Sequence, residues 1–324
     1  MNDTETPMAT ADGALQRSPV RSRPNQRRFD RLVRLTSEAG FDRLEAAHVM
    51  VFGVGGVGGF AVEGLARCGI GRLTLVDYDV VCATNVNRQI QALQGAVGQP
   101  KVALLAERCR KINPQIQIHA VQAFYQPKEA EALLPAQAPP DFVIDAIDHI
   151  AAKAHLIDRC KTLNIPVVSS MGAAGKLDPT AVRVADLFAT HGDPLARAIR
   201  KHLRQKLHWP GGTAGGAAGV TAIFSAEPRL RPIPPAWDAQ GFECLCPSSP
   251  DGTWGKDNDF HACTDRPLIE GSAVFVTSVF GMVAASVVVR AIVGQLAAKP
   301  AAARDQAPDP PRDEAPSPAN AIHA

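Results

Sequence analysis

Apolar and polar positions follow two rhythms through the middle of the chain. Short runs rich in β-branched residues, at 48–54, 73–76, 116–121, 142–145 and 167–170, predict buried strands. Between them, segments 59–68, 101–113 and 151–161 repeat apolar residues at helical spacing and predict helices. Strand and helix alternating in this way build a mainly parallel sheet covered by helices, a doubly wound α/β fold with a Rossmann-like core. Past Gly175 the rhythm fades. A basic helical stretch, a Gly-rich segment (GGTAGGAAG), a Pro-rich segment bearing cysteines and an apolar helix from about residue 272 predict an irregular C-terminal extension. No internal repeat is visible.

The two ends carry a different composition. Residues 1–26 are polar and rich in Thr, Ser, Arg and Pro, and residues 299–324 are an Ala, Pro and Asp run; neither can bury enough apolar surface to order itself. They predict tails around one domain at 27–298. The beginning, MNDTETPMATADGA, has acids and threonines where a secretory leader has basic and then apolar residues. With seven cysteines, this predicts a reducing, cytoplasmic setting. Lys and Arg number 34 against 32 Asp and Glu, so the formal charge of +2 demands no polyanionic partner globally.

The first predicted strand runs into Gly53-Val54-Gly55-Gly56-Val57-Gly58, a glycine turn that opens a helix. Backbone amides and a helix N-terminus can then approach a phosphate. The pattern fits both a dinucleotide fingerprint and a nucleotide-activating loop, so Gly53, Gly55, Gly56 and Gly58 mark a nucleotide without choosing it. The next strand ends at Asp77, placed to accept from a ribose, with Asp79 and Asn85 following. Arg88 and Lys101 come next. Hydride transfer needs no such cations, whereas attack of a carboxylate on an α-phosphate gathers negative charge that fixed cations stabilise. Asp148 closes the strand segment FVIDAID at the carboxyl edge of the sheet, where an acid can hold Mg²⁺.

On these residues the chain resembles the ThiF, MoeB and ubiquitin-activating-enzyme-like superfamily and, within it, the tRNA threonylcarbamoyladenosine dehydratase branch. The resemblance covers roughly residues 28–294. It is carried by RFDRLVRL, VFGVGGVGGFAVEGLARCGIGRLTLVDYD, TNVNRQIQAL, VGQPKVALLAERCRKINP, VIDAID and SSMGAAGKLDPTAVRVADL. It implies that the four loop glycines cradle the triphosphate of ATP, Asp77 the ribose, Arg88 and Lys101 the phosphates, and Asp148 the magnesium. It also implies a homodimer in which an N-terminal arginine, Arg31 or Arg34, reaches the nucleotide of the neighbouring subunit. The activity implied is ATP-dependent cyclisation of threonylcarbamoyladenosine in tRNA through a carboxyl-adenylate, releasing AMP and pyrophosphate. A docking sulfur-transfer protein and a monovalent cation near Gly172 to Gly175 are further expectations.

The chain departs from sulfur-carrier activators of this superfamily, which hold zinc with two CxxC pairs, because it has no CxxC. Cys244, Cys246, His261 and Cys263 instead form a three-thiolate, one-imidazole set of the kind tetrahedral zinc accepts, against a reading as free loop cysteines or a redox pair. Cys68, Cys109 and Cys160 fall in helical patterns and read as small buried hydrophobes.

Two later helices bear on partners. Arg197, Arg200, Lys201, Arg204 and Lys206 lie on LARAIRKHLRQKLH, whose Leu195, Ile199 and Leu203 keep one face apolar. The basic side is either a solvated face or a contact for tRNA phosphates. Residues 272–289 carry no formal charge and approach the length of a membrane span, but their Ser, Thr and Gly content predicts a helix buried in the core or at a dimer interface rather than a membrane anchor. Three rivals to the cyclisation reading stand: adenylation of the C-terminus of a ubiquitin-like sulfur carrier, an NAD-dependent oxidoreductase, and a nucleotide-dependent scaffold.

Overall fold

The computed structural model describes residues 24–210, 216–235 and 270–294. In chain order the elements are α1 (Pro24–Arg28), α2 (Asp30–Ala46), β1 (His48–Phe52), α3 (Gly58–Arg67), β2 (Arg72–Val76), α4 (Lys101–Ile112), β3 (Gln117–Val121) and α5 (Ala130–Leu133). They continue with β4 (Phe142–Asp145), α6 (Ile150–Thr162), β5 (Val167–Ser170), β6 (Val182–Asp186), α7 (Pro194–Lys206), β7 (Thr221–Ser225) and α8 (Val274–Ile292).

The seven strands form one sheet in the order β3-β2-β1-β4-β5-β7-β6, parallel throughout except that β6 runs antiparallel to β7. The central strands are buried on both faces and mainly apolar, which is why they read as short hydrophobic runs, with the polar Asp145, Ser169 and Ser170 at their carboxyl ends. Their side chains alternate between two cores. Val49 and Val51 of β1 face the side covered by α2, α3, α4 and α8, while Met50 and Phe52 face the side covered by α5, α6 and α7.

Strands β6 and β7 lie where the sequence pattern had faded. β6 is an edge strand with Arg183 and Val184 exposed, so it lacks the apolar run of a central strand. α2 is interrupted at Ser37, whose φ of 66° lies in the left-handed region.

Helix α8 is long and apolar enough to cross a membrane by length and composition alone. Here Val276, Phe280, Ala284 and Val288 are buried, and each such Val or Phe contributes about 1.5–3 kcal/mol. Small residues let α8 approach α3 closely. A Cβ on Gly281 would stand 2.3 Å from the Val57 carbonyl oxygen, and one on Gly64 would stand 2.9 Å from the Ala285 Cβ.

The chain runs outward from β1 to β2 and β3, then crosses to β4 on the other side of β1. That reversal leaves a crevice at the carboxyl ends of β1 and β4, the place where open α/β sheets take ligands. Phe52 and Asp145 pair across it.

Candidate nucleotide site

The glycine loop fills this crevice. Gly53 has φ of +79°, and a Cβ there would lie 2.7 Å from the Ala146 carbonyl oxygen. Gly58 opens α3 so close to the loop that a Cβ would meet the Gly53 carbonyl oxygen at 1.8 Å. These two glycines are required by the backbone itself. Gly55 differs: the nearest atom to its Cβ position is Gln89 Nε2 at 3.7 Å. The amides of Gly55, Gly56 and Val57 make no hydrogen bond among the described residues, so the start of α3 offers free donors and the positive end of a helix dipole.

The loop is pinned from β2. Asp77 Oδ2 accepts from the Val54 amide at 2.7 Å and its Oδ1 from the Asp79 amide at 2.9 Å. Burial pushes the Asp77 carboxyl up and Asp79 adds to this, while Lys101 and the two amides pull the other way. Lys101 opens α4 almost fully buried, its Nζ 2.7 Å from Asp79 Oδ2. Burial alone would lower its pKa, but Asp77 and Asp79 outweigh that and raise it, with Asp148 adding to the effect. The structure thus brings the glycine loop, Asp77, Asp79, Lys101 and Asp148 together.

Asn85 and Arg88 sit on the loop between β2 and α4. Asn85 is buried and its Oδ1 accepts from the Cys82 amide at 3.0 Å, which shapes the turn. Arg88 is half-buried and donates from Nη1 to the Thr84 carbonyl at 2.8 Å and to Asn87 Oδ1 at 3.0 Å. The same loop touches the phosphate loop, for a Cβ on Gly56 would stand 3.3 Å from the Arg88 carbonyl oxygen. Gln91 Nε2 also donates to the Val54 carbonyl at 2.8 Å.

Asp148 is exposed at the mouth of the crevice and forms no hydrogen bond among the described residues. No group of three or more His, Cys, Asp or Glu that could hold a metal occurs among them. The single exposed carboxylate of Asp148 is the kind of donor Mg²⁺ uses, since that ion keeps most of its waters and is held by one or two carboxylates together with substrate phosphates.

One cluster escaped the sequence reading. Asp145 and Lys153 form a fully buried ion pair behind the turn that presents Asp148. The signal was a lysine between Ala152 and Ala154 on an otherwise apolar helix face.

Other predicted residues lie elsewhere. Arg34 is exposed and pairs with Asp30 at 3.0 Å within α2. Phe29, at the head of α2, packs beside Gly69, just past the end of α3, and Arg28 donates to Ile112, the last residue of α4. The phosphate loop lies at the other end of both helices, so Arg31 and Arg34 stand at the far edge of the sheet from this subunit's own site. Cys244, Cys246, His261 and Cys263 lie outside the described residues. Beside Gly172 to Gly175 the buried ammonium of Lys176 donates to the carbonyls of Ser225 at 3.0 Å and Glu227 at 2.9 Å. Cys109 and Cys160 are buried, and burial pushes both thiols up to about 12, which makes them inert; Cys68 is half-buried.

Helix α7 begins at the same sheet edge. Asp193 caps it, accepting from the Ala196 amide at 2.8 Å, and also accepts from the Gly172 amide, just past β5, at 3.1 Å. No acid occurs in PLARAIRKHLRQK, and Arg197, Lys201, Arg204 and Lys206 are exposed. Arg200 donates to Thr190 Oγ1. Burial and the charges of Arg204 and Arg197 lower its pKa, a sign of crowded like charges.

The ThiF family pattern matches residues 29–308. The tRNA threonylcarbamoyladenosine dehydratase of Escherichia coli K12 is 38% identical over 261 residues, covering 81% of this chain and 91% of that protein. The solved E. coli dehydratase TcdA in complex with ATP matches with a TM-score of 0.69 at 35% identity, covering 83% of this chain and 95% of that one. Its complex with AMP gives a TM-score of 0.71 at 35% identity, with 86% and 98% covered. The chain belongs to the ThiF family, in the branch of the tRNA threonylcarbamoyladenosine dehydratases.

Proposed function

We propose that this protein uses ATP to cyclise threonylcarbamoyladenosine in tRNA. The observation that carries this reading is the meeting of free loop amides, Lys101 and Asp148 at one crevice, in a chain similar over most of its length to a dehydratase solved with ATP and with AMP.

The triphosphate lies on the amides of Gly55 and Gly56 at the start of α3, with the ribose toward Asp77 and Asp79. The threonyl carboxylate attacks the α-phosphate, a P–O bond forms, and pyrophosphate leaves. Lys101 and Arg88 hold positive charge beside the phosphoryl oxygens as negative charge builds there. Asp148 would hold Mg²⁺, which spreads that charge further when bound. The carbamoyl group then attacks the activated carbonyl; AMP leaves with the former carboxylate oxygen, a proton is lost, and the sum is removal of one water. The nucleophile is already tethered, so its effective molarity is high and no catalytic thiol is needed.

The basic face of α7 takes tRNA phosphates, since it starts at the edge where the modified base must enter. A homodimer completes the site. Arg31 and Arg34 stand too far from their own subunit's loop, and an arginine from a second copy supplies the missing cation. The reaction belongs in the cytoplasm, where its tRNA substrate resides.

The test is AMP and pyrophosphate release by pure protein, with and without tRNA carrying the modified base, followed by mass analysis of the nucleosides. AMP release with loss of the mass of one water is expected. AMP without that mass change would point to another carboxylate as substrate, and no AMP in magnesium buffer would point to a scaffold.

A further inference from the structure

Lys153 Nζ lies 2.8 Å from Asp145 Oδ2, and both side chains are 0% exposed. Burying two charges carries a desolvation penalty that their attraction repays only with good geometry, and apolar replacements of such pairs are often neutral or stabilising. Stability alone is therefore a weak reason for this pair.

Its geometry gives another. The ammonium has three protons and three acceptors: Asp145 Oδ2, the Ile147 carbonyl at 2.9 Å and, at longer range, the Asp145 carbonyl at 3.4 Å. Asp145 is equally committed. Its Oδ2 also accepts from Ser169 Oγ at 2.6 Å, and its Oδ1 accepts from the Ile147 amide at 3.1 Å. Both backbone polar groups of Ile147 are thus held from inside the protein.

The outer side of the same turn is fitted to the phosphate loop. The Ala146 amide donates to the Phe52 carbonyl at 2.8 Å. The Ala146 carbonyl oxygen closes on Gly53, and the Ala146 Cβ stands 3.4 Å from the Cβ position of Gly58. Between the buried pair and the glycine loop there is no slack, and Asp148 is the next residue along.

We propose that Lys153 and Asp145 are positioning residues of the adenylation site: by holding Ile147 from within, the pair sets where Asp148 and the Gly53 turn stand relative to the α-phosphate, without touching the nucleotide. This rests on the adenylation reading. A displacement of about 1 Å at such a site is enough to lower a rate by roughly 10²-fold.

The experiment compares the parent with the double variant Asp145→Asn/Lys153→Met, which removes both charges together, and with Ser169→Ala, which keeps both and deletes one donor. Three quantities are read: hydrogen exchange of the Ile147 amide in nucleotide-free protein, the ATP affinity, and kcat against KM for AMP formation per folded molecule. The double variant is expected to fold, to exchange Ile147 faster, and to lose roughly 10²-fold in kcat with a much smaller change in KM. Ser169→Ala is expected to shift the same quantities in the same direction by less. Parent-like exchange and kcat in the folded double variant overturn the proposal. Should that variant not fold, parent-like values in Ser169→Ala do so. A parent that makes no AMP with modified tRNA defeats the functional reading instead, and the exchange rate and ATP affinity still decide whether the pair positions the turn.

Discussion

Lys101 and Asp79 are joined twice: the Lys101 ammonium meets Asp79 Oδ2 at 2.7 Å, and the Lys101 amide donates to the Asp79 carbonyl at 3.1 Å. The lysine is therefore fixed in place before any nucleotide arrives, and its charge does not have to be ordered during the reaction. Its pKa is raised because Asp77 and Asp79 outweigh burial. A raised lysine keeps its proton through neutral and mildly alkaline pH and loses it only above the ordinary value of 10.5. Lys101→Met is expected to lower kcat/KM for AMP formation by about 10²–10³-fold. In the parent, the alkaline fall assigned to Lys101 should lie above the ordinary lysine range, which a pH profile of AMP release checks.

The loop glycines divide by what they face. Gly53→Ala places a side chain on a left-handed backbone and against the Ala146 carbonyl. It is expected to destabilise the fold by about 1–3 kcal/mol from backbone strain alone, with the clash added. Gly55→Ala meets only Gln89 at 3.7 Å, so the fold should hold while the methyl group intrudes where phosphate binds. Denaturant midpoints and ATP affinities measured together separate the two. Equal stability losses would contradict this division.

Glu63, buried in α3, accepts from Arg67 at 2.7 Å and from Arg108 of α4 at 2.7 and 3.0 Å. Burial acts to raise its pKa, but the hydrogen bonds from Arg108 and Arg67 outweigh it and lower it. A lowered carboxyl contributes stability that is present above its unfolded value of 4.5 and is lost as pH falls through its lower folded value. Glu63→Gln should therefore destabilise the protein by about 1–3 kcal/mol at neutral pH, with the gap narrowing below pH 4.5. Denaturation of parent and variant across that range is the check.

Reversing Arg197 and Lys201 to glutamate removes two exposed charges from α7 while leaving its buried face of Ala196, Ile199 and Leu203 intact. Affinity for tRNA should fall, and the slope of log affinity against log salt should flatten by about 0.7–0.9 for each phosphate that the helix no longer neutralises. ATP affinity should not change. An unaltered salt slope would remove α7 from the tRNA surface.

The limits of β4 and β5 coincide with the expected spans, because each opens on apolar residues buried on both faces and ends in buried polar ones, Asp145 and Ser169-Ser170, at the edge of the site. β1, β2, α3, α4 and α6 differ from the expected spans by a residue or two at their ends. β6 and β7 were not legible: one is an exposed edge strand, and the other follows a Gly-rich segment that hides its start. At the site, the glycine loop, Asp77, Lys101 and Asp148 could be picked out by order and spacing alone. The link between Asp77 and the Val54 amide could not, since a backbone donor carries no residue signature. The apolar neighbours of Lys153 hint at burial, but its partner Asp145 is identified only once the sheet is assembled and α6 turns that face inward.

The close approach of Gly281 to Val57 ties the nucleotide loop to a helix made near the end of the described chain. During synthesis the residues of the loop emerge first and wait. At about 5–20 residues per second the intervening chain takes roughly 10 to 45 seconds to appear. Until then the start of α3 lacks its backing, and Val57, Phe60 and Ala61 present an apolar surface with no lid. A nascent chain halted before α8 would therefore carry every glycine of the loop without the helix that backs it, so that the loop gains its support only once α8 has emerged.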